Sequence, residues 1–355
     1  MGLSRVGRAH FYVACAVRWL LYFVGAGASM KVLLTGGTGF VGKAVLEALL
    51  QLPLLEVVLA SRRPIPFRER VSVFEVSDLA NGCTEWCAGL FGVDSVIHTA
   101  ARVHVMSDQS QDPLAVYRKV NVEATLALAE AAAKSGVKRF IFLSSIKVNG
   151  ESSAPDAPFS WADTPHPADP YAVSKLEAEL GLQAIGKRTG MEITIIRPTL
   201  VYGAGVGANF AALMRLAASG VPLPLGGCGN KRSLVYVGNL VDLIITCLEH
   251  PGAANQTFIV SDGQDLSIDE LLRMLAAALG SNSKMFRFPQ ALLIMLLALT
   301  GRRSISQRLF GSLCVDIRHT QDQLDWLPPF TVEQGVAETV AFFKREQARR
   351  KAVDR

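Results

Sequence analysis

The chain has 355 residues, of which 50% are apolar and 19% are charged, and this composition indicates a globular chain with material for a sizeable core. The formal net charge is +5, and because residues 1–29 hold Arg5, Arg8 and Arg18 but no acid, the rest of the chain carries only +2. A charge this small and dispersed argues against a nucleic-acid-binding protein.

The six cysteines form no CxxC pair, and the six histidines show no metal-ligand spacing. Scattered cysteines in a chain of this size are typical of free thiols in a reducing compartment rather than of a disulfide framework. We therefore expect a cytoplasmic protein with no metal site.

Residues 18–29, RWLLYFVGAGAS, follow a basic start and end in small residues, as a signal peptide or a short anchor does. The uncharged run from 19 to 30 is short for a bilayer span, which needs about 20 apolar residues. Three interpretations of residues 1–29 stay open: a dispensable extension before a translation start at Met30, a membrane anchor, and a cleaved export signal.

Residues 31–50, KVLLTGGTGFVGKAVLEALL, predict a buried strand, a glycine-rich turn and a helix. The turn has the spacing G-x-x-G-x-x-G, which lets backbone N–H groups approach a pyrophosphate at the start of the helix. This order of strand, turn and helix predicts a dinucleotide site. Its candidate residues are Gly36, Thr38, Gly39, Phe40, Val41 and Gly42.

Five further apolar runs alternate with helical stretches such as NVEATLALAEAAAKSG at 121–136. The runs are Glu56–Ala60, Val71–Val76, Ser95–His98, Arg139–Ser144 and Glu192–Arg197. This alternation predicts an α/β fold with a parallel, doubly wound sheet of the Rossmann type, in which ligands bind beyond the carboxyl ends of the strands. We expect this domain mainly at 30–200, a smaller C-terminal substrate lobe mainly at 201–345, and a basic tail at 346–355.

The second predicted strand is followed by Ser61, Arg62 and Arg63. An acid at the end of this strand would hydrogen-bond the ribose 2′-hydroxyl of NAD, whereas an arginine there can pair with the 2′-phosphate of NADP. The two arginines therefore favour NADP as the cofactor. NAD is the alternative if they belong only to a solvated loop.

A tyrosine and a lysine stand four residues apart in PYAVSKLEAE, at 170–179, on a helix that we expect to begin near Asp169 or Pro170. Upstream, the strand in IFLSSIKVNG, at 141–150, ends in two serines. Together these side chains form a proton-transfer set, in which Lys175 is expected to lower the pKa of the Tyr171 phenol. A serine would hold the substrate oxygen.

The motifs together resemble the extended branch of the short-chain dehydrogenase/reductase family, many of whose members act on nucleotide sugars. The resemblance runs from residue 30 to about residue 345 and includes TGGTGFVG, VSDL, HTAA, YAVSK and RPTLVYGAG. It implies a catalytic set of Ser145, Tyr171 and Lys175, with Ser144 in a structural role. It also implies further contacts with the dinucleotide, from Asp78 near adenine and from Leu79, Thr99, Ala100, Ala101, Asn121 and Lys175.

For the substrate, the resemblance implies that Ser145 and Tyr171 contact the sugar and that Asn209 and Arg232 contact the nucleotide diphosphate. Arginine suits phosphate because its planar fork donates hydrogen bonds in pairs. We therefore expect a nucleotide sugar as the substrate.

Four positions depart from the family pattern. The 4,6-dehydratases of the family carry Asp-Glu directly after the active serine or threonine, where this chain has Ile146 and Lys147, which argues against a dehydratase. Asn149 stands where a tyrosine is usual, and Leu200 where several relatives have asparagine, so the substrate contacts at these two positions differ.

The segment FPQALLIMLLALTGRR, at 288–303, has an apolar stretch too short to span a bilayer. We expect it to form a buried helix that caps the substrate lobe. Docking at a membrane interface is the alternative.

The stretches SSIKVNGE and PLPLGGCGNKRSLV are most similar to a bacterial surface-polysaccharide branch of the family. That branch includes reductases of UDP-4-keto-6-deoxy-N-acetylglucosamine, and we expect an NADP-dependent 4-ketoreductase of this kind. The alternatives are a UDP-sugar 4-epimerase with tightly held NAD and, disfavoured by the retained catalytic set, a non-catalytic dinucleotide sensor. Two further possibilities stay open: that the protein forms a homodimer, and that it associates weakly with a membrane.

Overall fold

The computed structural model describes residues 29–62, 70–76, 83–103, 112–299 and 309–353. Three residues predicted to contact the cofactor, Arg63, Asp78 and Leu79, lie outside these ranges, as does nearly all of the N-terminal extension. The side chain of Asn209 is also outside the description.

Seven parallel strands form the central sheet, and the predicted doubly wound fold is confirmed. The strands are β1 (Met30–Thr35), β2 (Leu55–Ser61), β3 (Val71–Glu75), β4 (Ser95–His98), β5 (Arg139–Leu143), β6 (Glu192–Pro198) and β10 (Thr257–Val260). Their order across the sheet is β10-β6-β5-β4-β1-β2-β3. Each strand predicted from the sequence agrees with the structure to within one residue at both ends.

The helices follow the strands in alternation, as a parallel sheet requires. They are α1 (Phe40–Leu49), α2 (Cys83–Gly89), α3 (Pro113–Arg118), α4 (Ala124–Lys134), α5 (Pro170–Thr189), α6 (Ala208–Ala218), α7 (Val237–Glu249), α8 (Ile268–Leu279), α9 (Gln290–Leu299), α10 (Arg318–Leu324) and α11 (Val332–Val353). A π-helical turn at Lys119–Glu123 joins α3 to α4. Short 3₁₀ turns occupy Ile146–Val148 and Pro251–Ala253.

Two apolar layers bury the faces of the sheet. Successive residues of a strand point to opposite faces, so Leu33 packs with α2, α4 and α5 while Val32 and Leu34 pack with α1 and α7. All three side chains have 0% exposure. This double coverage explains why the strands read as nearly continuous apolar runs in the sequence.

The part of the chain predicted as the substrate lobe contains two small sheets. Strands β7 (Leu200–Tyr202), β9 (Arg232–Tyr236) and β11 (Asp265–Leu266) form the first, and β8 (Leu223–Gly226) pairs with β12 (Met285–Arg287) in the second.

The chain crosses between the two parts more than the predicted boundaries suggest. Strand β10, from the range expected mainly in the lobe, forms an edge of the central sheet, and α7 packs on that sheet. Helix α11 runs through residue 346 without a break, so no separate basic tail begins there.

The segment predicted as a buried cap contains helix α9, but the prediction that it is buried is wrong. Leu292, Met295 and Leu299 are exposed, and Leu293 is partly buried against the core. An apolar run of this length fits a buried helix and an interfacial helix equally well, so composition alone could not separate them.

Strand register brings the predicted site residues to one edge of the sheet, which we call the carboxyl edge. The last residue of β1, Thr35, pairs with the last residue of β4, His98, and His98 pairs with Phe142 near the end of β5. The glycine-rich turn and the two serines begin directly after these residues. Ligands of doubly wound sheets bind at such an edge.

Candidate active site

The glycine-rich turn brings the start of α1 close to the end of β1. Gly36 has a φ of 74°, a left-handed conformation that favours glycine. A Cβ atom at Gly42 would lie 2.2 Å from the Gly36 carbonyl oxygen, and one at Gly36 would lie 2.6 Å from the Ala100 nitrogen. Only residues without side chains allow this approach of turn, helix and neighbouring loop.

The start of α1 suits an anionic ligand. Gly39 occupies the N-cap without a side-chain cap, and the first turn of α1 carries no acidic residue. Thr38 is exposed, while Phe40 and Val41 are half-buried. The positive end of the helix dipole and the backbone N–H groups of the turn could therefore hold the pyrophosphate of a dinucleotide.

A buried histidine stiffens the sheet beneath the turn. The Thr35 hydroxyl is 2.7 Å from Nδ1 of His98, and Nε2 of His98 is 2.9 Å from the Thr125 hydroxyl on α4. Burial, with a smaller contribution from the charge of Lys175, lowers the pKa of His98 to about 3. The neutral imidazole therefore links β1, β4 and α4 as a structural group.

His98 belongs to the motif HTAA, but the sequence alone predicted no role for its side chain. A signal was available, since Thr35 and His98 are both polar and each ends a predicted apolar strand. Parallel strands that neighbour each other bring such residues side by side.

Asn121 holds the loop that follows β4. Its Oδ1 accepts from the Arg102 backbone nitrogen at 2.8 Å, and its Nδ2 donates to the Arg102 carbonyl at 3.1 Å and to the Ser174 hydroxyl at 3.0 Å. The buried side chain thus ties the loop that carries Ala100 and Ala101 to helix α5. Its expected contact with the dinucleotide stays a prediction.

The end of β2 carries Arg62, whose side chain is exposed directly after Ser61. No acid occupies this strand end, as the sequence indicated. Arg62 is therefore free of steric cover, and its pairing with a 2′-phosphate stays a prediction.

Helix α5 presents the tyrosine and the lysine. It begins at Pro170, and the Asp169 carboxylate caps it by accepting from the Ala172 nitrogen at 2.7 Å. Proline at the first helical position and aspartate before it are strong start signals, and both predicted the boundary. Tyr171 lies in the first turn, and Lys175 lies one turn further on the same face.

Ser145 and Tyr171 meet at the carboxyl edge. A hydrogen bond joins the Ser145 hydroxyl to the phenol, and Ser145 also caps the short turn that follows β5. Burial raises the pKa of Tyr171 to about 12, although the bond to Ser145 opposes the shift. This differs from the expected lowering of that pKa by Lys175, because loss of water around the phenolate outweighs the favourable contacts.

Lys175 is buried beneath the site. Its Nζ donates to the Leu143 carbonyl at 2.7 Å and lies 4.2 Å from the centre of the Phe142 ring. Burial lowers the pKa of Lys175 to about 7, and the charge of Glu179 opposes that shift. The amine can therefore change its protonation state near neutral pH.

Lys147 braces the start of α5 from the turn after Ser145. Its Nζ is 2.5 Å from Oδ2 of Asp169 and 2.8 Å from Oε1 of Glu151. Partial burial lowers the pKa of Lys147, but the hydrogen bonds to Asp169 and Glu151 outweigh it and raise that pKa overall. Lys147, which argued against a dehydratase, thus contacts the N-cap of helix α5.

Ser144 belongs to a buried network behind the site. Its hydroxyl donates to Glu179, which also accepts from Arg197 at 2.5 and 3.0 Å. Arg197 in turn donates to Oδ1 of Asn149 at 3.0 Å. Asn149, at a position where a substrate contact was in question, is therefore engaged in holding β6 to the loop after β5.

The predicted substrate residues lie in the lobe. Arg232 begins β9 and is half-buried, while Asn209 is placed by its backbone in the first turn of α6. Leu200 is exposed at the start of β7. The contacts of Asn209 and Arg232 with a diphosphate stay predictions.

The arrangement can exchange a proton with an oxygen placed beside Ser145 and Tyr171, next to the glycine-rich turn that could hold a dinucleotide. Within the described ranges, no group of three or more histidine, cysteine, aspartate or glutamate side chains could hold a metal ion. The described side chains at the carboxyl edge suit proton exchange, and a dinucleotide held by the glycine-rich turn would supply hydride transfer beside them.

A family model described as the NAD dependent epimerase/dehydratase family matches residues 32–261. A UDP-glucose 4-epimerase of Vibrio cholerae is 47% identical over 314 residues, which cover 88% of this chain and 95% of that protein. The N-acetyl-alpha-D-glucosaminyl-diphospho-ditrans,octacis-undecaprenol 4-epimerase of Escherichia coli O157:H7 is 27% identical over 332 residues, with coverage of 88% and 95%.

Among solved structures, the UDP-glucuronic acid 4-epimerase from Bacillus cereus in complex with NAD matches with a TM-score of 0.72 and 22% identity, over 89% of this chain and 97% of that one. This likeness shows the shared fold. The family model covers well over half of the chain, and the match to the Vibrio protein covers 88% of it. The chain therefore belongs to the NAD dependent epimerase/dehydratase family and is an NAD-dependent enzyme.

Proposed function

We propose that the protein is a 4-epimerase of UDP-sugars that retains its NAD through many turnovers. The proposal rests on the 47% identity, across 88% of the chain, to a protein named UDP-glucose 4-epimerase. The second relative is also named a 4-epimerase, although its sugar is carried on a polyprenol diphosphate. These relatives favour the epimerase over the ketoreductase that the sequence alone favours.

In this proposal Tyr171 exchanges a proton with the C4 oxygen of the sugar, and Ser145 holds that oxygen. The phenol in its neutral form can protonate the oxygen of a 4-keto sugar, and the phenolate can take the proton back from a 4-hydroxyl. When bound, NAD supplies the hydride acceptor and donor, and its positively charged ring favours the phenolate. Lys175 supplies a second charge beside the site whenever its amine is protonated.

The reaction involves no net oxidation. The sugar loses a hydrogen from C4 and a proton from the C4 oxygen, and it regains both with the hydrogen on the opposite face. The product is an isomer of the substrate, so the cofactor is not consumed. The Tyr171 proton is likewise returned, and the enzyme ends each cycle in its starting state.

The experiment incubates the purified protein with UDP-glucose, and separately with UDP-N-acetylglucosamine, without added cofactor. We expect the 4-epimer of at least one substrate to form, and we expect denatured protein to release NAD in stoichiometric amount. Absence of any epimer from these substrates, with and without added NAD, would reject the proposal. A parallel reaction with N-acetylglucosaminyl-diphospho-undecaprenol tests whether the sugar must be carried on a lipid.

An NADP-dependent 4-ketoreductase is the second candidate, and one observation favours it. Arg62 follows β2 with an exposed side chain, and no acid for the ribose 2′-hydroxyl ends that strand. The test mixes the protein with UDP-4-keto-6-deoxy-N-acetylglucosamine and NADPH. Oxidation of one NADPH for each ketosugar reduced, with no epimerisation of UDP-sugars, would support this function instead.

A non-catalytic dinucleotide sensor has weaker support. A sensor needs no proton donor, yet Ser145 and Tyr171 are hydrogen-bonded at the carboxyl edge with Lys175 beneath them. We also propose that the protein acts in the cytoplasm, where dinucleotide cofactors and nucleotide sugars are available. A homodimer stays a prediction.

A further inference from the structure

Helix α9 and the strand before it expose a run of large apolar side chains, which we call the α9 surface. Its members are Phe286, Phe288, Leu292, Ile294, Met295 and Leu299. Their exposed fractions run from 36% at Phe288 to 77% at Leu299. Exposed apolar residues are normal when scattered, but a contiguous group marks a surface that contacts a partner or a membrane.

The α9 surface is fixed to the lobe at two points. Strand β12 pairs with β8, with Met285 beside Leu223, and the backbone approach is so close that a Cβ atom at Gly226 would lie 2.7 Å from the Phe286 carbonyl carbon. On α9 itself, Leu293 packs against the core. The exposed side chains therefore project from an anchored element.

The stretch of sequence that contains this surface carries basic residues and no acidic ones. From Leu271 to Val315 the sequence contains six basic residues and no aspartate or glutamate, although the whole chain has a net charge of only +5. The six are Arg273, Lys284, Arg287, Arg302, Arg303 and Arg308. Arg273 is paired with Asp269 of α8 at 2.9 Å, so it does not add to the charge available to a ligand. Lys284 and Arg287, which lie at and beside β12, are exposed in the structure.

We propose that the α9 surface docks the protein on an anionic lipid bilayer, with α9 lying in the interface. Apolar side chains of this kind enter the boundary between headgroups and acyl chains, and flanking lysine and arginine side chains pair with anionic headgroups. This inference concerns where the enzyme works and is independent of which sugar it converts.

The helix lies on the bilayer and does not cross it. Ten residues at 1.5 Å each give α9 a length of about 15 Å, half of the roughly 30 Å hydrocarbon core. In the part of the chain that the structure describes, no helix has both the length and the apolar character needed to cross a membrane.

A second copy of the chain is a poorer occupant for this surface. A two-fold interface places the same patch of both copies face to face. Lys284 and Arg287 of the two copies would then repel one another, because residues 271–315 contain no acid that could neutralise them. An anionic lipid surface satisfies the apolar and the basic side chains together.

The test measures sedimentation of the purified full-length protein with vesicles of phosphatidylcholine alone and of phosphatidylcholine mixed with phosphatidylglycerol. We expect binding to the mixed vesicles at least tenfold stronger than to the neutral ones, and weaker binding as salt is raised. The double variant Leu292→Glu/Met295→Glu should lose at least tenfold of that binding. The matched control Phe91→Glu/Leu327→Glu changes two exposed apolar residues elsewhere and should bind as the wild type does.

Thermal unfolding midpoints of both double variants confirm that they fold. If the first variant fails to fold, Phe288→Trp in the otherwise unchanged chain gives a second measurement, since brominated lipids should quench its added fluorescence. Lack of vesicle binding, equal binding to neutral vesicles, or binding unchanged in Leu292→Glu/Met295→Glu would overturn the proposal. The last result would assign binding to another segment, such as residues 1–28. Dimerisation that depends on Leu292 and Met295, without vesicle binding, would overturn it too.

Discussion

The carboxyl edge of the central sheet and the α9 surface are built in opposite ways. At the edge, polar side chains such as His98, Asn121 and Lys175 are buried, and each is held by hydrogen bonds to another strand or helix. On the α9 surface, large apolar side chains meet solvent. The edge is thus fixed by partners within the chain, whereas the α9 surface has apolar area left for a partner outside it.

The two regions differ in how well their function can be predicted from the sequence. Chemistry at the edge depends on a few polar residues whose spacing follows from strand ends and one helical turn. Docking depends on the solvent exposure of ordinary core-type residues, which only the fold determines.

The largest effect is expected from Tyr171→Phe. Removing the phenol oxygen removes the proton exchange, so epimerase turnover should fall by about 10²–10⁴, while NAD binding stays close to that of the wild type. Steady-state rates and the amount of NAD released on denaturation measure the two effects. Tyr117, whose ring lies 6.0 Å from that of Tyr171, supplies the control Tyr117→Phe, which should retain most of the activity. Similar rates in both variants would remove Tyr171 from the reaction.

The second effect concerns the buried ion pair behind the site. Arg197→Met leaves the Glu179 carboxylate buried without its cation, at a site where the two side chains are 6% and 2% exposed. The free energy of unfolding should fall by about 3–5 kcal/mol, measured by denaturant titration. Arg118→Met serves as the control, because it breaks an exposed ion pair with Glu177, which lies on α5 as Glu179 does. This variant should leave the free energy of unfolding nearly unchanged. If both variants lost the same free energy of unfolding, burial of the ion pair would not determine how much it stabilises the protein.

The third effect is a pH dependence from Lys175. Burial lowers its pKa from 10.5 to about 7, so between these values the unfolded chain binds a proton that the folded chain does not. The unfavourable contribution of Lys175 is complete below about pH 7 and disappears as the pH rises towards 10.5. The wild type should therefore gain about 2 kcal/mol of unfolding free energy relative to Lys175→Met between pH 7 and pH 9.

Denaturant titrations of both proteins at several pH values measure this difference. The variant Lys187→Met, which changes an exposed lysine near the end of the same helix, serves as the control and should show the wild-type dependence. Parallel curves for the wild type and Lys175→Met would contradict the lowered pKa.

The smallest effect compares two helix caps. Asp169 caps α5 at the carboxyl edge, and Ser267 caps α8 in the lobe, each by accepting from a backbone nitrogen three residues on. Asp169→Ala and Ser267→Ala should each cost about 1 kcal/mol of unfolding free energy. Only the first should also lower turnover, by several-fold, because Asp169 and Lys147 set the position of Tyr171. A loss of turnover shared by both variants would mean that stability alone explains it.

The sequence predicted the central sheet because its signals are local. Apolar runs bounded by glycine or polar residues marked β1 to β6 to within one residue, although β10 was not predicted, and Asp169 and Pro170 marked the start of α5. The same signals placed two serines at a strand end and Tyr171 at a helix start, and the family resemblance then singled out Ser145 as the candidate catalytic serine.

What the sequence could not predict depends on long-range packing. The pairing of β10 with β6 joins residues about 60 positions apart, and no local pattern specifies it. The raised pKa of Tyr171 follows from how closely its surroundings exclude water. The exposure of α9 depends on whether another element packs over it. The uniformly apolar sequence of this helix does not predict that.

The central claim is that the sugar regains the hydrogen it loses at C4. The most direct measurement uses UDP-glucose with deuterium at C4, incubated with the purified protein in ordinary water without added cofactor, and determines the label in the epimer by mass spectrometry and nuclear magnetic resonance. We expect UDP-galactose that keeps the deuterium at C4, with no deuterium lost to solvent. Loss of the label during epimerisation, or formation of product only with one NADPH consumed for each sugar, would contradict the account.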